Sequence, residues 1–207
     1  MNYYNLTINE ATFTIIDIEA TGFSPENNSI IEVAGIKYQG GVEIDRFSTL
    51  IKPEYGFLPP HITQLTGITN ALVIDQPEVD TALSKFFKFL EDSILVGHNI
   101  TFDITFLNAK GKKYIGKELK NPYICTDRLA RKLYPDVESK SLESLAGYFG
   151  IPLKKKHRAM ADAETTLKVF EKILDYLQDY NITKVIDIIN LSQGKKVNHK
   201  NKRRRYV

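Results

Sequence analysis

The stretch Phe13-Thr14-Ile15-Ile16-Asp17-Ile18-Glu19 constrains the fold more tightly than any other part of the chain. Its β-branched and aromatic residues predict a strand, and Phe13–Ile18 is apolar enough for the middle of a sheet rather than its edge. Side chains two apart on a strand point the same way, about 6.6 Å apart, so Asp17 and Glu19 share one face. Burying two acids costs several kcal/mol unless a cation or hydrogen-bond donors compensate. The rest of the chain must therefore enclose this strand and also supply something that offsets its charges.

Two further β-rich stretches follow, Ile30–Tyr38 and Val42–Ile51, joined by Gln39-Gly40-Gly41 as a hairpin, with Gly22–Ser29 as the turn before them. After Pro59 the pattern changes to short helical pieces. In Pro77–Asp92, Val79, Leu83, Phe86, Phe87 and Leu90 fall on one face at helical spacing. Ser93–Gly97 and Pro122–Cys125 are short apolar runs, each followed by a helical pattern, as in crossover units. Ser141–Phe149 predicts a short helix closed by Gly150 and Pro152, Asp162–Leu177 a long amphipathic one, and Ile182–Leu191 a last one. Antiparallel strands leading into parallel strand–helix units make an α/β fold, a mixed sheet with helices on its faces.

The 207 residues suit one domain with an appendage. Apolar runs fall far short of the ~18–20 residues a membrane-spanning helix needs, which predicts a protein that is not integral to a membrane. Met1–Asn5 shows neither a basic start nor an apolar core of a secretory signal, and the expected location is cytoplasmic. The single Cys125 has no partner for an intrachain disulfide and no Cys or His at zinc spacing. The net charge of +3 conceals an asymmetry. Gly194–Val207 holds 7 of the 28 Lys and Arg (Lys195, Lys196, Lys200, Lys202, Arg203, Arg204 and Arg205) and no acid, leaving 21 basic against 25 acidic residues in the body, net −4. A basic surface that coats duplex DNA is thus not indicated. The tail reads either as an electrostatic arm for nucleic acid or another polyanion, or as a solvated end.

Two more acids join the first pair. Asp103 follows the Ser93–Gly97 strand at the opening of a helix, where α/β proteins place ligands, and His98 and Asn99 serve to hold that loop. Asp162 heads the long helix, with His157 in the loop before it. Imidazole, with an ordinary pKa near 6.5, can accept a proton from water at neutral pH. Four acids from three regions offer hard oxygen ligands for Mg²⁺ or Mn²⁺ and disfavour zinc. Two such ions about 3.5–4 Å apart clamp the attacking and leaving oxygens of a displacement at phosphorus, so phosphodiester hydrolysis is the implied chemistry. The Thr21-Gly22 turn is expected to leave backbone amides free beside the carboxylates to hold a nucleotide end.

Asp17-Ile18-Glu19-Ala20-Thr21-Gly22, His98-Asn99-Ile100-Thr101-Phe102-Asp103 and His157-Arg158-Ala159-Met160-Ala161-Asp162-Ala163 resemble, in order and spacing, the three motifs of the DEDDh (DnaQ-like) 3′–5′ exonucleases. The resemblance covers about Thr12 to Leu177. It implies a ribonuclease-H-like fold with a five-stranded mixed sheet, an exonuclease domain over 1–180, and a C-terminal helix and basic tail over 181–207. It also implies that Asp17, Glu19, Asp103 and Asp162 bind two Mg²⁺ or Mn²⁺ ions, with Asp17 bridging, and that His157 is the general base. The product would be a nucleoside 5′-monophosphate released from a 3′ end. Ile68 would wedge against the terminal nucleotide, with Thr21 and Phe106 lining the same pocket. Ala20 departs from the Thr found in many members and removes no ligand or base. Within the family the likeness is to the proofreading exonuclease segments of bacterial replicative DNA polymerase III, which implies nucleic-acid 3′ ends, DNA favoured over RNA, and a DNA polymerase as partners. The opposing reading is a binding module for nucleic acid or protein on the same fold, with Ile182–Leu191 as a docking helix.

Overall fold

The computed structural model describes Tyr3, residues 5–153 and residues 157–197. Five strands, β1 (Phe13–Ala20), β2 (Ile30–Gln39), β3 (Val42–Leu50), β4 (Ile94–Gly97) and β5 (Tyr123–Cys125), form one sheet in the order β3-β2-β1-β4-β5. The first three pair antiparallel, and β4 pairs parallel with both β1 and β5. β1 is thus the central strand, as its apolar run predicts. The helices are α1 (Pro60–Thr66), α2 (Asn70–Val73), α3 (Val79–Leu90), α4 (Thr101–Ile115), α5 (Thr126–Leu133), α6 (Leu142–Tyr148), α7 (Ala159–Asp179) and α8 (Val185–Ser192). None of them is long and apolar enough to cross a membrane.

The alternation of β1 divides the core into two layers. Phe13 and Ile15 face α7 in a cluster with Leu167, Phe170, Ile173, Leu174 and Leu177, and Phe13 meets Phe170 edge-on at 5.2 Å between ring centres. Ile16 and Ile18 face the other way, toward Leu83, Phe86 and Leu90 of α3 and Phe106 and Leu107 of α4. Each fully buried residue of this kind contributes about 1.5–3 kcal/mol. The odd-numbered row of β1 runs from Phe13 and Ile15 to Asp17 and Glu19, so the face that is core beside the body of α7 becomes acidic near its N-terminus.

The segment after residue 180 folds back on the same core. Ile182, Val185, Ile188, Ile189 and Leu191 are buried there. Ile8 and Val185 donate backbone hydrogen bonds to Thr183 and Leu6, and Cys125 donates its N–H to Ser192 Oγ at 2.8 Å. The apolar face of α8 is therefore engaged within its own chain rather than free to dock a partner. Of the tail, Lys195 and Lys196 are described, Lys132 Nζ donating to the Lys195 carbonyl at 3.0 Å; Lys200, Lys202, Arg203, Arg204 and Arg205 lie outside the described residues.

Candidate active site

Three elements converge at the carboxyl ends of β1 and β4. The parallel register aligns Phe13 with Ile94 and Ile15 with Val96, so β4 ends beside Asp17 and the chain turns through His98 and Asn99 into α4. Asn99 takes the left-handed conformation at φ +60°, and its carbonyl accepts from Phe102 N–H at 3.1 Å. His98 holds the loop as expected: its Nδ1 lies 2.9 Å from Thr126 Oγ1, whose hydroxyl also reaches the Gly97 carbonyl. Asp103, in the first turn of α4 and only 4% exposed, accepts the Ile18 N–H at 3.1 Å. That bond ties α4 to β1 between the two acids of the strand. From the other side, Asp162 in the first turn of α7 accepts the N–H of His157 at 3.0 Å. Glu19, His157 and Asp162 can bring ligand atoms within 4.8 Å of one another.

The electrostatics show how tightly the acids crowd. Burial, then Asp103, Glu19, Asp162 and Glu32, push Asp17 well above the ordinary carboxylate range. Burial and the charges of Asp162, Glu32 and Asp103 raise Glu19 to about 8, with Arg158 acting in the opposite direction. Burial raises Asp103 to about 8, partly opposed by the amides of Asp103 and Ile18, and burial also raises Asp162, opposed chiefly by His157. Four acids that each resist ionisation fit a site built for cations: all ligand atoms but the imidazole are hard oxygens, suited to a divalent ion of the Mg²⁺ or Mn²⁺ kind.

A pH dependence follows, with a definite sign. Glu19 and Asp103 titrate near 8 in the folded chain against 4.5 and 3.8 ordinarily, so the folded, cation-free protein binds more protons than the unfolded chain between those limits. Their stabilising contribution is complete below about pH 4 and is lost as pH rises through about 8, at up to roughly 1.4 kcal/mol per pH unit per group. In EDTA the melting temperature should fall from pH 5.5 to 8.5, and Mg²⁺ or Mn²⁺ added at pH 8.5 should restore most of it. A flat profile indifferent to divalent ions would show that these acids do not form one charged cluster.

Other expected site residues are placed differently. Thr21 sits at the cluster's rim, yet its N–H donates to the Ser29 carbonyl and its Oγ1 accepts the Ser29 N–H, both at 2.9 Å. The expected free amide of Thr21 is therefore already bonded, because the turn closes on itself; the carboxamide of Asn28 fills the space where a side chain at Gly22 would stand. Ile68 and Phe106 have no exposed surface: Ile68 packs with Ile31, Leu58 and Ile62, and Phe106 lies under Phe102 at 4.8 Å between ring centres. Over Phe102, solvent reaches the ring of Phe23, 92% exposed and edge-on to Phe102 at 6.4 Å. Its signal in the sequence is an apolar ring just past the acids of β1. Glu32, an acid inside the apolar run of β2, is likewise visible there; it is buried and holds Arg158.

The profile of the RNase T family, described as exonuclease, matches residues 14–170. The chain is 42% identical over 187 residues to DNA polymerase III subunit epsilon of Aquifex aeolicus, spanning 90% of this chain and 92% of that one. It is 36% identical over 191 residues to the PolC-type DNA polymerase III of Caldanaerobacter subterraneus, covering 92% of this chain but 14% of that much longer protein. Among solved structures, exonuclease X in complex with 5′ overhanging duplex DNA aligns with a TM-score of 0.65 at 22% identity, over 87% of this chain and 99% of that one. E. coli exonuclease I in complex with a dT13 oligonucleotide aligns at 0.72 and 18% identity, over 82% and 42%. At these identities the two structures establish a shared ribonuclease-H-like fold.

Proposed function

Since this chain belongs to the RNase T exonuclease family and is a 3′–5′ exonuclease of the DnaQ-like type, we propose that Asp17, Glu19, Asp103 and Asp162 hold its divalent cations and that His157 is its general base. The observation that carries this reading is that Glu19 of β1 and Asp162 of α7 meet beside His157, while Asp17 of β1 and Asp103 of α4 belong to the same group of interacting charges. Bound Mg²⁺ or Mn²⁺ supplies the positive charge against which negative charge develops on the phosphoryl oxygens. The chain's own residues do the rest. His157 takes a proton from water as its oxygen forms a bond to the terminal phosphorus; the bond from that phosphorus to the 3′ oxygen of the preceding nucleotide breaks, and that oxygen leaves with the electron pair and takes up a proton from solvent. The products are a nucleoside 5′-monophosphate and a strand one nucleotide shorter with a 3′-hydroxyl.

The substrate we propose is the 3′ end of single-stranded DNA, with a DNA polymerase as partner and the cytoplasm as the place of work, on the strength of the polymerase subunits and segments that the chain resembles. Phe23 offers an exposed ring on which a terminal base can stack, a contact that every base can make. Phe106 then backs this ring through Phe102, Thr21 closes the turn that carries it, and Ile68 contributes from within the core through the residues packed on it.

Matched 5′-labelled DNA and RNA oligomers incubated with Mg²⁺, Mn²⁺ or EDTA test the proposal. A ladder shortening from the 3′ end, present with either cation, absent in EDTA and faster on DNA, is the expected result. Faster decay of RNA would overturn the choice of sugar, and no cleavage of either strand with any cation would overturn the assignment of the site.

A further inference from the structure

Glu32 lies in the apolar run of β2 and is 2% exposed. In the sheet it faces Glu19 directly, and like charges at facing positions of an antiparallel pair oppose each other. An acid held there needs donors, and three meet it. Arg158 donates Nε at 3.1 Å and Nη2 at 3.0 Å, one to each carboxylate oxygen, and the backbone N–H of Ala159 donates at 3.0 Å. The two-pronged guanidinium contact is the geometry in which an arginine–carboxylate pair is strongest and most directional. Ala159 is the first residue of α7, whose N-cap Arg158 provides no capping side chain. Glu32 therefore caps the helix from another element, taking an amide that has no partner within the helix.

His157 stands just before this grip with φ +54°, a conformation that a non-glycine residue keeps only where its surroundings hold it. Asp162 fastens the turn by accepting the His157 N–H, and Glu32 fastens it from the far side through Arg158 and Ala159. We infer that Glu32 and Arg158 are positioning residues that set the His157 turn, and thereby aim the imidazole at the attacking water. The inference rests on the reading of His157 as the base. With both oxygens engaged, Glu32 is not a cation ligand like its neighbour Glu19, although the two face each other across the sheet.

The test is a cycle of Glu32→Gln and Arg158→Lys, each made in the native protein and in His157→Ala, with kcat and KM read on a 5′-labelled DNA oligomer. Arg158→Lys keeps the charge but loses the planar fork, and it serves if Glu32→Gln does not fold. In the native background each variant should lower kcat about 10- to 100-fold, the scale of a small misplacement of a catalytic group, with KM changed less than about twofold. In the His157→Ala background the further loss should be under about twofold, because the residue being aimed is already gone. Equal losses in both backgrounds, or no loss in the first, would overturn the inference. Histidine-selective ¹⁵N labelling supplies a readout apart from activity: the ring signals of His157 should shift in both variants while those of His61 and His98 stay in place, and an unmoved His157 ring would also overturn it. A native protein with no cleavage would strike at the proposed function; an active native protein with additive variants would strike at the positioning role alone.

Discussion

Asp17→Asn is expected to abolish cleavage and, in the same protein, to raise the melting temperature measured without divalent ions. The two effects have one cause. Asp17 lies on the central strand among Asp103, Glu19, Asp162 and Glu32, all of which raise it further after burial has done so. In the cation-free protein its ionisation opposes folding; the amide removes that opposition and keeps the shape. With cations present the balance reverses, because the carboxylate that was costly belongs to the proposed ligand set and feels the charges of its other three acids. Losing a ligand of that kind removes several kcal/mol of charge stabilisation from the transition state, or about 10³-fold or more in kcat. In EDTA at pH 8 the melting temperature should rise by about 2–4 °C for each kcal/mol relieved, and the gain on adding Mg²⁺ should shrink. Thermal melts with and without Mg²⁺ beside the oligomer assay decide the matter. Lower stability in EDTA, or activity within tenfold of the native protein, would remove Asp17 from the centre of the site.

That opposition between stability and function explains why the acids were legible in the sequence. Phe13–Ile18 is too apolar to leave the sheet's centre, so Asp17 stands out against its own strand, and the period-two geometry carries Glu19 with it. Leu167, Phe170, Ile173, Leu174 and Leu177, at helical spacing within the long amphipathic pattern, likewise set α7 against the sheet, and all of them are buried. What could not be read is whatever depends on register between distant segments. Glu32 and Arg158 are 126 residues apart, and nothing local announces their pairing. The facing of Glu19 and Glu32 requires the exact offset of β1 against β2, whose register shifts between Glu19 and Ala20, two residues beyond the apolar run. Thr21 and Ser29 close the turn by bonds that its composition does not specify. Ile68 and Phe106 carry the residue types of a pocket wall, but residue type does not distinguish a wall from the core beneath it, and the structure encloses both.

His157→Ala should lower kcat by about 10²- to 10⁴-fold, the range removed with a positioned general base, while leaving KM and the Mg²⁺-induced gain in melting temperature close to native. The case for this residue over the other histidine near the site is geometric. His98 is engaged with the Thr126 hydroxyl and the Lys140 backbone, so its ring holds the loop between β4 and α4. His157 stands on a turn beside Glu19 and Asp162, close enough for their ligand atoms to come within 4.8 Å. That closeness admits a competing role, because a neutral imidazole in such company can itself ligate a cation. The two roles separate cleanly. A base is absent only from the chemistry, so its removal spares cation binding, and free imidazole diffusing into the vacated space should restore part of the rate. A ligand is absent from the cation-bound state as well, so its removal would erase most of the Mg²⁺-induced stabilisation together with activity. Retained stabilisation with imidazole rescue establishes His157 as the base; lost stabilisation without rescue would reassign it to the ligand set and leave a carboxylate to draw the proton.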